Sequence, residues 1–134
     1  VNVPKHLQGL SSQLGKKYNV DPGLIDAVAQ QESSYGNGSQ NVMQVNGMEH
    51  SSPQASMDVG ARMLGGYMQK YGNIELALAA YNMGPGAVSY MQKNGIKDVR
   101  EGMRAFSNYM KRTKGYKVYG DPQYLDHVLR YYKG

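Results

Sequence analysis

The chain has 134 residues, 40% of them hydrophobic, enough for one domain with a real apolar core. It contains no cysteine, which excludes a disulfide framework, a thiolate zinc site and a Cys nucleophile, and no apolar run nears the ~20 residues of a membrane span. Its net charge of +5 is unevenly placed: six Lys/Arg balance six Asp/Glu over residues 1–96, whereas residues 97–134 hold nine against four.

Leu7, Leu10, Leu14 and Tyr18 form a helical stripe that Gly15 weakens near its end. Asp21-Pro22 then supplies an N-cap and a first-turn proline for a helix over residues 21–34. Ile25, Val28, Ala29 and Glu32 stand at i, i+3, i+4 and i+7, on one helical face. Glu32 thus points the same way as the core residues. A carboxylate in partly apolar surroundings resists ionisation, which suits a general acid working near neutral pH. Taken alone, the helix favours a plainer reading, a rim Glu bonded to backbone or water. From residue 35 to 52 periodicity is lost among Gly36, Gly38, Gly47, Asn37, Asn41 and Asn46. A loop is expected there, with a short extended piece at Val42-Met43-Gln44-Val45, and it is placed to wall a cleft beside Glu32.

Met57, Gly60, Ala61, Leu64, Tyr67, Met68 and Tyr71 predict a closely packed helix capped by Ser56 and ended at Gly72. Asn73 caps a helix that is apolar almost all round, from Ile74 to Tyr81, and therefore central. Pro85 opens a short helix to about Lys93, and Gly95 stops it. Val99, Met103, Phe106, Met110 and Thr113 suggest a further helix, basic on its outer side, and residues 113–120 read as a loop. Asp121-Pro122 repeats the cap-and-proline start, before a closing stripe of Leu125, Val128, Leu129 and Tyr132. The sum is about seven helices with at most a minor strand element, an all-α or α-dominated single domain over residues 1–134. Val1-Asn2-Val3-Pro4 lacks the regions of a signal peptide, and both ends of the chain look helical, so a domain taken from a longer protein is expected.

His6, His50 and His127 are scattered, without H-E-x-x-H, so no metal is expected. There is no G-x-S-x-G, and Gly36-Asn37-Gly38 lacks the Lys-Ser/Thr of a phosphate loop. The basic C-terminal third suits an anionic partner and equally suits plain solvation; no recognisable motif supports nucleic-acid binding. Twelve Tyr against one Phe and no Trp offer flat faces with hydroxyls, suited to sugar rings or to an ordinary core and rim. Carboxylate chemistry remains. Glycosidases normally pair two carboxyls, ~5–5.5 Å apart when retaining and ~6.5–9.5 Å when inverting. Asp26, at i−6, points away from Glu32; Asp58 reads as a first-turn acid favoured by the helix dipole; Glu49 lies in the loop. No pair is established.

Three blocks in order resemble the soluble lytic transglycosylase family, with its goose-type lysozyme-like fold. They are Gln31-Glu32-Ser33, Val42-Met43-Gln44-Val45, and Ala77-Leu78-Ala79-Ala80-Tyr81-Asn82-Met83-Gly84-Pro85-Gly86-Ala87-Val88. Gly60-Ala61-Arg62-Met63-Leu64 and Tyr124-Leu125-Asp126-His127-Val128-Leu129 are looser matches. The resemblance implies cleavage of the β-1,4 bond between N-acetylmuramic acid and N-acetylglucosamine in peptidoglycan, with no cofactor. By the same resemblance Glu32 protonates the glycosidic oxygen and then takes the proton of the muramic C6 hydroxyl, giving a 1,6-anhydro product. One carboxylate then suffices, the substrate's N-acetyl group assisting. Gln44 and the backbone near Met43 would hold sugar groups, Met43 would line the cleft, and Ser33 would orient local structure. Tyr81 and Asn82 would border the catalytic centre, and Tyr124 is a weaker cleft candidate.

Two departures bear on the outcome. Asn41 stands where the family has Gly before its L-M-Q, and Met43 follows Glu32 by only 11 residues. The short form resembles lysozyme-like domains of Gram-positive cell-wall enzymes, described as hydrolytic muramidases, whose E-S-x-G-x-G-x-D-x-M-Q has Asp at the place of Asn41. Hydrolysis with the same Glu32 is thus the alternative; a non-catalytic wall-binding module and, more weakly, a chitinase-like enzyme are others. The expected partner is the peptidoglycan glycan strand, with no nucleic acid and no membrane span. A monomer is expected, at the cell wall, from a secreted wall enzyme or a phage tail protein. Residues 96–120 read as an insertion relative to the family, with a basic helix that suits the anionic wall or plain solvation.

Overall fold

The computed structural model describes residues 1–132. It contains a short 3-10 turn, Lys5–Leu7, and seven α-helices: α1 Leu10–Tyr18, α2 Pro22–Ser33, α3 Pro53–Tyr71, α4 Ile74–Met83, α5 Pro85–Lys93, α6 Val99–Lys114 and α7 Tyr124–Leu129. No strand occurs among the described residues. The all-α expectation holds.

The chain forms two compact units, one of Val1–Gly66 with the residues from His127 on, the other of Tyr67–Asp126. In the first, α1 packs on α2. Leu14, Leu24, Ile25, Val28, Val42, Met43, Met57, Ala61 and Leu64 are buried. Each large apolar side chain so buried contributes about 1.5–3 kcal/mol. Asp21 caps α2 as expected, its carboxylate accepting from the Gly23 N–H at 2.9 Å, and Tyr132 donates its hydroxyl to the same group at 2.7 Å. Small residues serve close approach. A Cβ at Gly65 would meet the Tyr18 carbonyl oxygen at 2.5 Å, so only glycine lets α3 lie against the end of α1.

In the second unit α4, α5 and α6 pack on one another. Ala77, Leu78, Ala79, Ala80 and Met83 of α4 are buried, which accounts for its nearly all-round apolar pattern. Asn73 caps it by accepting from the Leu76 N–H at 3.0 Å. Asp98 caps α6 through the Arg100 N–H at 3.1 Å. The Arg100 guanidinium then spans Glu75 at 2.9 Å and Asp126 at 2.9 Å, linking the starts of α4, α6 and α7.

Several local expectations are corrected. Ser56 does not cap α3: the helix starts at Pro53, Ser52 accepts from the Ala55 N–H at 3.1 Å, and Ser56 is buried inside the helix. Asp58 is consequently past the first turn, and its carboxylate is held by the Tyr18 hydroxyl at 2.6 Å. Residues 42–45 are not an extended piece: Val42 and Met43 form a turn closed by the Gln44 N–H on the Asn41 carbonyl at 2.9 Å, and Gln44 follows it at φ +51. Helix α6 runs through Thr113 to Lys114 before Gly115 ends it, and α7 starts at Tyr124, not at Pro122. Leu7 belongs to the 3-10 turn, separated from α1 by Gly9 in the left-handed region.

Candidate active site

Glu32 lies in the last turn of α2 and is half-buried. The backbone just beyond it is conformationally unusual. Ser34, Tyr35 and Gly36 have φ of +52, +57 and +87, so the chain leaves the helix through three successive left-handed residues. Such a conformation in a bulky residue costs free energy and persists only where the surroundings enforce it. Here they do. The Tyr35 side chain is fully buried and donates its hydroxyl to Asp26 at 2.6 Å. Burial first, and the Asp26 carboxylate second, push the Tyr35 phenol far above its usual range, so it stays a donor.

Ser33 joins this helix end to the 42–45 turn. Its hydroxyl donates to the Val42 carbonyl at 2.6 Å and accepts from the Gly36 N–H at 2.7 Å. The turn is built on Asn41, which is buried. Its Oδ1 accepts from the Val45 N–H at 2.9 Å and the Ser56 hydroxyl at 2.7 Å, while Nδ2 donates to the Val45 carbonyl at 2.7 Å. The two backbone partners fix which end of the amide is oxygen. Ser56 Oγ also accepts from the Met43 N–H at 3.1 Å. That N–H is thus occupied, and the Met43 side chain, expected to line a cleft, is fully buried and packs on Gly60, where a Cβ would come within 2.7 Å of its sulfur. Gln44 is exposed, its Nε2 donating to the Asn41 carbonyl at 2.9 Å. Glu32, Ser33, Met43 and Gln44 therefore belong to one connected piece of the first unit.

The other acids weighed as partners for Glu32 are engaged. Asp26 serves Tyr35; Glu49 accepts from the Gly47 N–H at 3.3 Å. At Asp58 the Tyr18 hydroxyl, then Lys17, hold the carboxyl below its ordinary range. A depression of about 730 Å³ in this unit is lined by Gln30, Ser34 and the N-terminal residues, and not by Glu32. Gln30 stands about 200° around the helix from Glu32.

In the second unit, Tyr81 and Asn82 occupy the last turn of α4 and are half-buried. Asn82 Oδ1 accepts from the Asp121 N–H at 2.7 Å, which directs the amide's own hydrogens elsewhere. Tyr124 lies within one turn of Asp121, its N–H on the Asp121 carbonyl at 2.9 Å, and only 2% of it is exposed. The structure thus brings Asn82 and Tyr124 to Asp121, with Tyr81 the residue before Asn82 in α4. The sequence shows Ser56 and Asp121 only as helix caps, not as partners of Asn41 and Asn82, and it gives Tyr35 no role, although an aromatic residue directly before Gly36 in a glycine-rich turn is a signal.

The profile of the transglycosylase SLT domain matches residues 37–103. The chain belongs to this family. The matched part of the SLT domain takes in Met43, Gln44, Tyr81 and Asn82, with Glu32 and Ser33 just before it and Tyr124 beyond. A Bacillus subtilis (strain 168) protein named bifunctional muramidase/DL-endopeptidase CwlT is 41% identical over 83 residues, 61% of this chain and 25% of that protein. The SLT domain here spans about a quarter of that relative's length. A crystal structure from Staphylococcus aureus subsp. aureus Mu50, described as similar to lipoprotein, NLP/P60 family, superposes with a TM-score of 0.80 at 22% identity. It covers 100% of this chain and 55% of that one, and shows the fold.

Proposed function

We propose that this domain cuts the β-1,4 bond between N-acetylmuramic acid and N-acetylglucosamine in peptidoglycan, with Glu32 as the acid. Family membership makes it a peptidoglycan-cleaving enzyme of the transglycosylase or muramidase kind. The observation that carries the assignment to Glu32 is the strained segment just beyond it, tied down by side-chain bonds. Ser33 is tied to the Val42–Val45 turn, and Tyr35 is held in the left-handed region by Asp26. That arrangement anchors the backbone on either side of a half-buried Glu32, which supports reading its carboxyl as a positioned general acid.

The reaction proposed is non-hydrolytic. The Glu32 carboxyl gives its proton to the bridging oxygen as the C1–O bond breaks. The resulting carboxylate then takes the proton of the muramic C6 hydroxyl as O6 bonds to C1, closing the 1,6-anhydro ring. No water is consumed, and Glu32 ends protonated as it began. The proposed scheme uses a single working carboxylate and asks nothing of Asp26, Glu49 or Asp58, which serve Tyr35, the Gly47 N–H and Tyr18. Hydrolysis is the second reading, favoured by the muramidase in the name of the Bacillus relative. There, water replaces the C6 hydroxyl. No helix among the described residues is long and apolar enough to cross a membrane, and the proposed site of action is the cell wall.

Glu32→Gln keeps the shape and removes the proton. Wall solubilisation is expected to fall at least a hundredfold, the scale of lost acid–base catalysis, with the helical circular dichroism intact. Full activity in a folded Glu32→Gln protein would sink the assignment. Mass spectrometry of the wild-type products separates the chemistries: anhydromuramic ends mark transglycosylation, reducing ends hydrolysis. Binding to walls without any release would leave only a binding module.

A further inference from the structure

We propose that residues 115–120, the loop between α6 and α7, form an additional subsite for the peptidoglycan strand beside Tyr81 and Asn82, with Tyr116 and Lys117 as its contacts. This rests on the wall-cutting function above and extends it to a part of the chain beyond residues 37–103 that match the family.

The loop is fastened to the end of α4. Besides the Asp121 N–H on Asn82, the Tyr119 hydroxyl donates to the Met83 carbonyl at 3.0 Å, and Ser107 donates to the Tyr119 carbonyl at 2.7 Å. Gly120, at φ +62, sits so close that a Cβ would fall 2.6 Å from the Met83 side chain and 2.9 Å from Asn82 Oδ1. The base of the loop is therefore immobilised on the residues directly after Tyr81.

Its tip is open. Tyr116 is 48% exposed and Val118 76% exposed, in a chain that otherwise buries most of its large apolar residues. The Tyr116 ring stands edge-on to Tyr119 at 5.0 Å, and Tyr119 edge-on to Phe106 at 5.7 Å, so the exposed ring is held by packed ones. A held aromatic ring, half open to solvent, matches the apolar face of a sugar ring at little ordering cost. Around it Lys111, Arg112, Lys114 and Lys117 are exposed and have no carboxylate partner among the described residues. The carboxylates of peptidoglycan stem peptides complement them. Cations in a last helical turn also serve the helix dipole, which accounts for Lys111, Arg112 and Lys114. It does not account for Lys117, Tyr116 or Val118, which lie past the helix.

The test is sedimentation of the protein with insoluble peptidoglycan freed of phosphodiester polymers, for wild type, Tyr116→Ala and Lys117→Glu. Lys117→Glu, at an exposed position, should keep the wild-type melting temperature, and Tyr116→Ala, which gives up the ring contact with Tyr119, should melt slightly lower but stay folded. Each variant should bind about three- to tenfold more weakly, the range of one lost aromatic or charge contact. Wild-type affinity in both variants, with a wild type that cuts walls, overturns the subsite alone. A wild type that neither binds nor cuts overturns the function and the subsite with it.

Discussion

Asn41 holds the turn carrying Met43 and Gln44 through a single amide. Its Oδ1 takes two donors and its Nδ2 serves the Val45 carbonyl, all out of water. Asn41→Asp keeps the shape and both accepted bonds but sets a carboxylate oxygen against that carbonyl. Losing one buried donor and leaving its acceptor unpaired costs about 1–3 kcal/mol, more for a charged replacement. The expected outcome is a lower urea midpoint than wild type at pH 7. The deficit should narrow as pH falls toward about 4, where the new carboxyl protonates and can donate to Val45. The sign comes from linkage: the folded variant then binds a proton more readily than the unfolded one, so its stability falls as pH rises. Equal midpoints for both proteins at pH 7 would mean the Nδ2 bond contributes nothing. In the sequence Asn41 stands out as one of several loop residues and as a departure from a family pattern. Its partner Ser56 is fifteen residues on, and a bond at that separation leaves no periodic trace.

Helix α3 shows why element boundaries are harder to read than element existence. Its apolar period is plain, but Ser52 and Pro53 lie before the first core residue, so Ser56 looks like the cap. By contrast Asp21 and Asn73 cap helices whose apolar stripes begin at once, and both starts are legible. The glycines of α3 divide in the same way. Gly60 and Gly66 look alike in sequence, yet a Cβ at Gly60 would meet Met43 Cβ at 2.8 Å, while one at Gly66 meets nothing within 4 Å. Alanine gains about 1 kcal/mol over glycine in a helix interior. Gly66→Ala should realise most of that gain. At Gly60 the same gain opposes overpacking of about 1–3 kcal/mol, because the clash involves Met43 near its backbone as well as its flexible end. Thermal unfolding should therefore shift upward for Gly66→Ala and downward for Gly60→Ala. A rise in both would show that Met43 moves aside freely and that the 42–45 turn does not depend on it.

Over the whole molecule the charge is concentrated toward one end of the chain. Residues 1–96 are neutral in sum, and the excess of +5 belongs to residues 97–134. The family is legible because its three blocks are local strings. The bearing of the basic segment is not, because solvated lysines and a binding face have the same composition. The structure separates them in part: Arg100 is spent on Glu75 and Asp126, whereas Lys111, Arg112, Lys114 and Lys117 are left facing solvent. If those four charges draw the enzyme to the anionic wall, the attraction is long-range and screened, with a Debye length of about 10 Å at 0.1 M salt and about 3 Å at 1 M. On the proposed assignment, bond cleavage at Glu32 is a contact event and much less sensitive to salt. Raising salt over that range should slow lysis of intact insoluble peptidoglycan several-fold, while cleavage of a short soluble glycan fragment without peptides changes little. Replacing Lys111, Arg112, Lys114 and Lys117 together with Gln should flatten the first curve toward the second. Equal salt dependence for the polymer in the wild type and the fourfold variant would show the basic face to be solvated surface only.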